Sequence, residues 1–116
     1  MKLNHLNLPV PDVTQAAEYF VKFFGFRHVE RKGDALAVLL DDSGFSFILS
    51  NFGENGDYPR DFHIGFIQDS REAVDGLYLK LWGAKLTTDP PRAMHGSWGF
   101  YCHAPCGVLI EVSCTR

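Results

Sequence analysis

No apolar run in this chain approaches the roughly 20 residues needed to cross a bilayer, and the opening "MKLNHLNLPVPD" has no signal-peptide core. Both absences lead to the expectation of a cytoplasmic protein with no membrane association. Cysteine is scarce and odd in number, at three, so a disulfide framework is not expected. Cys102 and Cys106 flank His103, but only Cys114 remains, and the second pair that a structural zinc site requires is missing. Charge of one sign is lacking too. The net charge is −3, with acids and bases mixed and no basic stripe interleaved with aromatics, which argues against nucleic acid as a partner. Low-complexity segments are absent.

What is present is a single-domain length of 116 residues with an ordinary apolar share and ten phenylalanines, which points to an aromatic-rich interior or cavity. The sequence also repeats itself. Shifted by 58 residues, His5 falls on His63, Lys22 on Lys80 and Gly25 on Gly83, while Phe20 meets Tyr78 and Phe24 meets Trp82. In the first half, Asp12 and Gln15 have the spacing of a capping box, and Ala16, Tyr19, Phe20 and Phe23 form one helical face that Gly25 should end. In the second half Asp69 and Glu72 repeat the cap, Val74, Leu77, Tyr78 and Leu81 the face, and Gly83 the stop.

Strands are expected before each helix, in "LNHLNLPV" and "DFHIGFIQ". Others should follow each helix: "FRHVER", "ALAVLL" and "FSFILSN" in the first half, "AKLTT", "WGFYCH" and "VLIEVSC" in the second. The linker "FGENGDYPR" separates the halves. The expected fold is therefore α+β: one domain, 1–116, of two tandem βαβββ modules over residues 1–55 and 59–116. Each helix covers one sheet face, and the free faces would curl into a cupped mixed sheet around a cavity.

Alternation sets the candidate site. Leu6, Leu8, Ile64 and Phe66 suit the helix side, which turns His5, Asn7, His63 and Gly65 to the other face. His63, inside an apolar run, is either a buried, hydrogen-bonded core histidine or a ligand. Glu111 stands among Leu109, Ile110 and Val112, where a carboxylate is costly unless it is paired with an arginine or a protonated histidine, or binds a cation. Two imidazoles and a carboxylate at strand positions match a 2-His-1-carboxylate set for a divalent metal, with positions left open for substrate. Tyr101 either offers a hydroxyl to the cavity or packs with it at the rim. His103 lies near a turn. The long loop "TTDPPRAMHGSWG" carries His95 and Trp98, the latter a lid, a stacking surface for substrate or a packing plug. His28 reads as a surface residue.

The segments "LNHLNLPVPDV", "AEYFVKFFGFRHVE", "FHIGF" and "GFYCHAPCGVLIEVS" resemble the vicinal oxygen chelate superfamily of glyoxalases, bleomycin-resistance proteins, fosfomycin-resistance thiol transferases and extradiol dioxygenases, over nearly the whole chain. The resemblance implies metal ligands at His5, His63 and Glu111, holding Mn, Fe, Ni or Zn. It further implies a small substrate that chelates through adjacent oxygens; by their positions Asn7, Tyr101, His103 and Trp98 are the candidates to bind it, with Glu111 and Tyr101 in catalytic roles. A homodimer is the implied assembly, with each site built from one chain or from both. Where glyoxalase I carries a fourth ligand this chain has Ile48, or Leu49 if the register slips, and Pro9 replaces the arginine that holds the glutathione carboxylate, so glutathione-dependent chemistry is disfavoured. The three-ligand pattern is similar to that of extradiol dioxygenases and fosfomycin thiol transferases, and Tyr101 matches a tyrosine of the latter. "PPRAMHGSWG" replaces their potassium loop, however, and the chain ends five residues after Glu111, without their closing arm. The rival is a metal-free protein that sequesters a bleomycin-type antibiotic.

Overall fold

The computed structural model describes residues 1–53 and 57–115. The chain forms two compact units, Met1–Asp57 and Tyr58–Arg116. The expected module ends at residues 55 and 116, and part of the expected linker, lie outside the described residues. Among the described residues, no helix is long and apolar enough to cross a membrane.

In the first unit, β1 (His5–Pro9) is followed by α1 (Val13–Phe24), β2 (Arg27–Lys32), β3 (Leu36–Leu40) and β4 (Ser46–Ser50). The sheet order is β1-β4-β3-β2, with β1 and β4 parallel and the other pairs antiparallel. Asp12 caps α1 as its spacing predicts: its side chain accepts the Gln15 N–H at 3.0 Å and its carbonyl accepts that of Ala16. Gly25 ends the helix at φ 74°, a left-handed conformation that a residue without Cβ adopts at no steric cost. Phe20, wholly buried, meets Phe47 edge-on at 4.8 Å, and Phe26 packs on Phe47 at 5.3 Å. Burying a side chain of that size contributes about 2–3 kcal/mol. The phenylalanine-rich interior thus lies between helix and sheet.

The second unit repeats the plan with β5 (His63–Ile67), α2 (Arg71–Gly83), β6 (Arg92–Met94), β7 (Ser97–His103) and β8 (Leu109–Thr115), in the order β5-β8-β7-β6. Val74 and Leu81 of α2 are buried over Phe100, Ile110 and Val112, and Tyr78 meets Phe100 edge-on at 5.6 Å. All three cysteines are free and buried, and all belong to this unit.

Three expectations here are corrected. The cap of α2 is Ser70 rather than Asp69: its hydroxyl accepts the Ala73 N–H at 3.1 Å, and its carbonyl takes the first helical bond, from Val74. Gly83 does not stop α2 in a left-handed turn. It stays helical, and Lys85 takes the positive φ of 61°, because Leu86 N–H closes back on the Leu81 carbonyl and Lys85 N–H on that of Trp82. That turn uses up the start of "AKLTT", which is therefore no strand. The fourth strand is instead β6, inside the segment read as a long loop. His95 and Gly96, at φ 47° and 78°, form a two-residue hairpin turn between the paired Met94 and Ser97.

Gly99 marks the tightest approach in the second sheet. A Cβ there would stand 2.3 Å from the Val112 carbonyl oxygen and 2.8 Å from Ser113 Cβ. Backbone cannot yield as a flexible side chain can, so Gly99→Ala is expected to lower stability by about 1–3 kcal/mol, read as a lower urea midpoint, whereas Gly76→Ala on α2, with open space around its missing Cβ, should not.

Candidate functional site

Pairing register decides what the free face of the second sheet presents. His63 lies opposite Leu109, which lies opposite His103; in the next row Gly65 lies opposite Glu111, and Glu111 opposite Tyr101. Alternation then sends Ile110, Val112 and Cys114 to the helix, where they are buried, and leaves Leu109, Glu111 and Ser113 on the free face. Gly65 has no side chain to crowd the carboxylate beside it.

Three of the expected residues come together. Tyr101 donates its hydroxyl to Glu111 Oε1 at 2.6 Å, Ser113 donates to Oε2 at 3.2 Å, and His63 Nε2 stands 3.8 Å from Oε1. The His63 and Tyr101 rings meet edge-on at 5.9 Å. His63 is not the buried core histidine that its apolar run could have required, since 42% of its side chain is exposed. Its Nδ1 lies 2.9 Å from the Asp61 carbonyl oxygen. A carbonyl can only accept, so Nδ1 carries a proton, and in the neutral ring the unprotonated nitrogen is then Nε2, the one turned toward Glu111.

The remaining candidates lie elsewhere. His5, on the free face of the first sheet, holds its Nδ1 2.8 Å from Asn4 Oδ1, the same engagement that His63 makes with a carbonyl. Asn7 accepts a hydrogen bond from the Ser50 hydroxyl at 2.7 Å. His103 is exposed at the end of β7, with Leu109 between it and His63. Trp98 is a strand residue on the helix side of the sheet, not a loop lid. Its indole N–H donates to Asp75 of α2 at 2.9 Å, and the Arg71 guanidinium lies 4.5 Å from its ring centre. Two residues were missed. Ser113 could have been found from its parity with Glu111. Arg92 could be placed only once the His95-Gly96 hairpin was known.

A divalent cation fits the donors of the second sheet. At 3.8 Å the His63 and Glu111 atoms are too far apart for a hydrogen bond, yet an ion about 2.1 Å from each reaches both. The carbonyl behind Nδ1 is the usual support of a metal-bound imidazole. No group of three or more His, Cys, Asp or Glu side chains that could hold a metal is assembled among the described residues, so the pair supplies two ligands of the expected three.

The family model of the Glyoxalase/Bleomycin resistance protein/Dioxygenase superfamily matches residues 2–112. The chain belongs to this superfamily. Within it, a structure described as a possible glyoxalase from Bacillus cereus is 40% identical, with a TM-score of 0.91 over 98% of this chain and 99% of that one. The lactoylglutathione lyase of Agrobacterium tumefaciens (17% identity, TM-score 0.80, 97% and 92% covered) and the fosfomycin resistance protein FosX of Listeria monocytogenes (18%, 0.82, 100% and 94%) share the fold. No curated protein gives a significant match. The tandem βαβββ fold of the superfamily also fixes which first-sheet residue corresponds to Glu111. Ile48 lies opposite Asn7 as Glu111 lies opposite Gly65, while Leu49 is fully buried under α1.

The hydrogen bond to Glu111, helped by burial and the carboxylate's charge, pushes the Tyr101 hydroxyl above its ordinary ionisation range, with the charge of Arg92 opposing. Burial, with the Cys106 thiol nearby, pushes Tyr58 up to about 12. A group raised in the folded state contributes stability that is complete below its unfolded pKa, about 10 for tyrosine, and is lost as pH rises through the folded value. An ultraviolet titration of phenolate should therefore find Tyr58 and Tyr101 ionising late, and Glu111→Ala should return Tyr101 toward the ordinary range.

Proposed function

We propose that the protein is a divalent-metal-dependent enzyme acting on a small substrate that offers two adjacent oxygens. The observation that carries this reading is the pairing of a bare, backbone-oriented His63 Nε2 with the Glu111 carboxylate on an open sheet face. His63 and Glu111 are two ligands of the proposed set, and His5, at the same place in the first sheet, is the third. The assembly proposed is a cytoplasmic homodimer, with sites drawing on one chain or both. The metal is Mn, Fe, Ni or Zn.

When bound, the ion supplies Lewis acidity to the chelated oxygens. The protein's own residues do the rest. The Asp61 carbonyl fixes the His63 tautomer, Ser113 holds the second Glu111 oxygen, and the Tyr101 hydroxyl, whose one proton rests on Glu111 Oε1, can rotate to donate it where negative charge develops on the substrate. Ile48 leaves a coordination position vacant that a carboxylate at its place would fill. The reaction is of lyase, dioxygenase or thiol-transferase type, and Pro9, standing where an arginine would hold a glutathione carboxylate, weighs against the glutathione-dependent member.

One observation favours a second reading. Glu111 already takes hydrogen bonds from Tyr101 and Ser113, which satisfy a half-buried carboxylate without any cation, as a protein that only sequesters an antibiotic of the bleomycin type would need.

Protein purified without a histidine tag should contain near-stoichiometric divalent metal by elemental analysis, and His63→Ala should lose most of it with an unchanged circular dichroism spectrum. Retention should fall as the pH is lowered, because protonated imidazoles bind no cation. Metal content at background in the wild type would hand the site to the second reading. Ile48→Glu should strengthen retention and reduce turnover by occupying a substrate position, whereas Leu49→Glu should unfold the first unit, because it buries a carboxylate under α1 at a cost of several kcal/mol.

A further inference from the structure

Among the described residues, the open face of the second sheet carries one permanent cation, Arg92. Arg92 lies opposite Gly99, Gly99 opposite Ser113 and Ser113 opposite Ile67, in the row next to Gly65, Glu111 and Tyr101. Arg92 therefore shares the face of Glu111 and Tyr101, on the edge strand two strands away from the carboxylate. With strands about 4.8 Å apart and about 3.3 Å per residue along each, the two Cα atoms are roughly 12 Å apart. Gly99 places no side chain between them, and a Cβ there is barred by the Val112 carbonyl. What results is a shallow floor bordered by Arg92, Tyr101 and Ser113, with the His63–Glu111 pair at its far side.

Arg92 is exposed, and it makes no salt bridge or hydrogen bond with another described residue, whereas Arg31 is tied to Asp34 and Thr14 and Arg71 lies over Trp98. A guanidinium offers five N–H donors in a planar fork and no acceptor, so the group it recognises is an oxyanion.

We infer that the substrate carries, besides its adjacent-oxygen pair, a second anionic group, a carboxylate or a phosphate, that Arg92 anchors across the Gly99 floor. The inference rests on His63 and Glu111 being the reacting end of the site. Arg92 is a positioning residue: it sets which chelating molecules are held with their oxygens at that end.

Three 2-hydroxy acids separate the parts of this inference. Lactate has the oxygen pair alone, malate adds a carboxylate and 3-phosphoglycerate adds a phosphate. Titration calorimetry on wild-type protein, both Mn(II)-loaded and metal-free, should find malate or 3-phosphoglycerate bound at least about tenfold more tightly than lactate, the magnitude of one charge-assisted contact. Which of the two gains more identifies the oxyanion. Arg92→Gln should abolish the increment without altering lactate affinity or metal content, and Arg92→Lys should restore part of it, which a merely structural role would not do. An increment in metal-free protein that disappears in Arg92→Gln supports Arg92 even where no metal binds and the metal reading fails. Metal and lactate binding without any increment, or an increment that survives Arg92→Gln, overturns the inference and leaves the metal reading standing.

Discussion

Everything at the site depends on the two-residue period of β8. A strand cannot send adjacent residues to one face, so once Ile110, Val112 and Cys114 are committed to α2, Glu111 and Ser113 must face away from it. The same constraint puts Tyr101 beside Glu111 and forces Trp98 and Phe100 to opposite faces from their odd-numbered neighbours. A slip of one residue would bury the carboxylate and expose the core together. The core's energy therefore enforces the site's geometry, although no core side chain takes part in its chemistry.

Much of this was legible before any coordinates. The 58-residue repeat, both helices, seven of the eight strands among the described residues and the opposed faces of β1 and β5 follow from apolar periodicity and turn residues, because burial is a strong, local and periodic demand. For the first-sheet counterpart of Glu111 the repeat left Ile48, or Leu49 if the register slipped, and the pairing of Ile48 with Asn7 decided between them. The illegible parts had weaker or competing signals. Asp69 and Ser70 are both good caps, and only the carbonyl that receives the first helical bond separates them. Repeat logic carried the stop from Gly25 to Gly83, but α2 ends in a left-handed turn at Lys85, a residue with no intrinsic preference for it. Histidine is an unusual first residue for a two-residue hairpin, so the His95-Gly96 turn and β6 passed for loop. That one omission misplaced Trp98 as a lid and hid Arg92.

The His63–Glu111–Tyr101 cluster balances two demands. Glu111 is satisfied by hydroxyl donors, so the sheet tolerates it when nothing else is bound, yet neither oxygen is locked in an ion pair with a permanent cation. Hydroxyls rotate and share acceptors readily, which leaves the carboxylate free to accept a further electrophile without an uncompensated charge appearing. A guanidinium in bidentate contact would have made the same carboxylate inert.

The placement of the cysteines gives the molecule an internal gauge of opening. Cys102, Cys106 and Cys114 all belong to the second unit, all are buried, and burial also raises the Cys106 thiol, which keeps it from its reactive thiolate form. The first unit has no thiol at all. Alkylation of Cys102 and Cys114, on the helix side of β7 and β8, by a bulky reagent thus proceeds only as fast as the second sheet separates from α2, and it is blind to fluctuations around α1. A rate of labelling measured on the unmodified protein is a clock for one half of the chain alone, the half that carries Glu111.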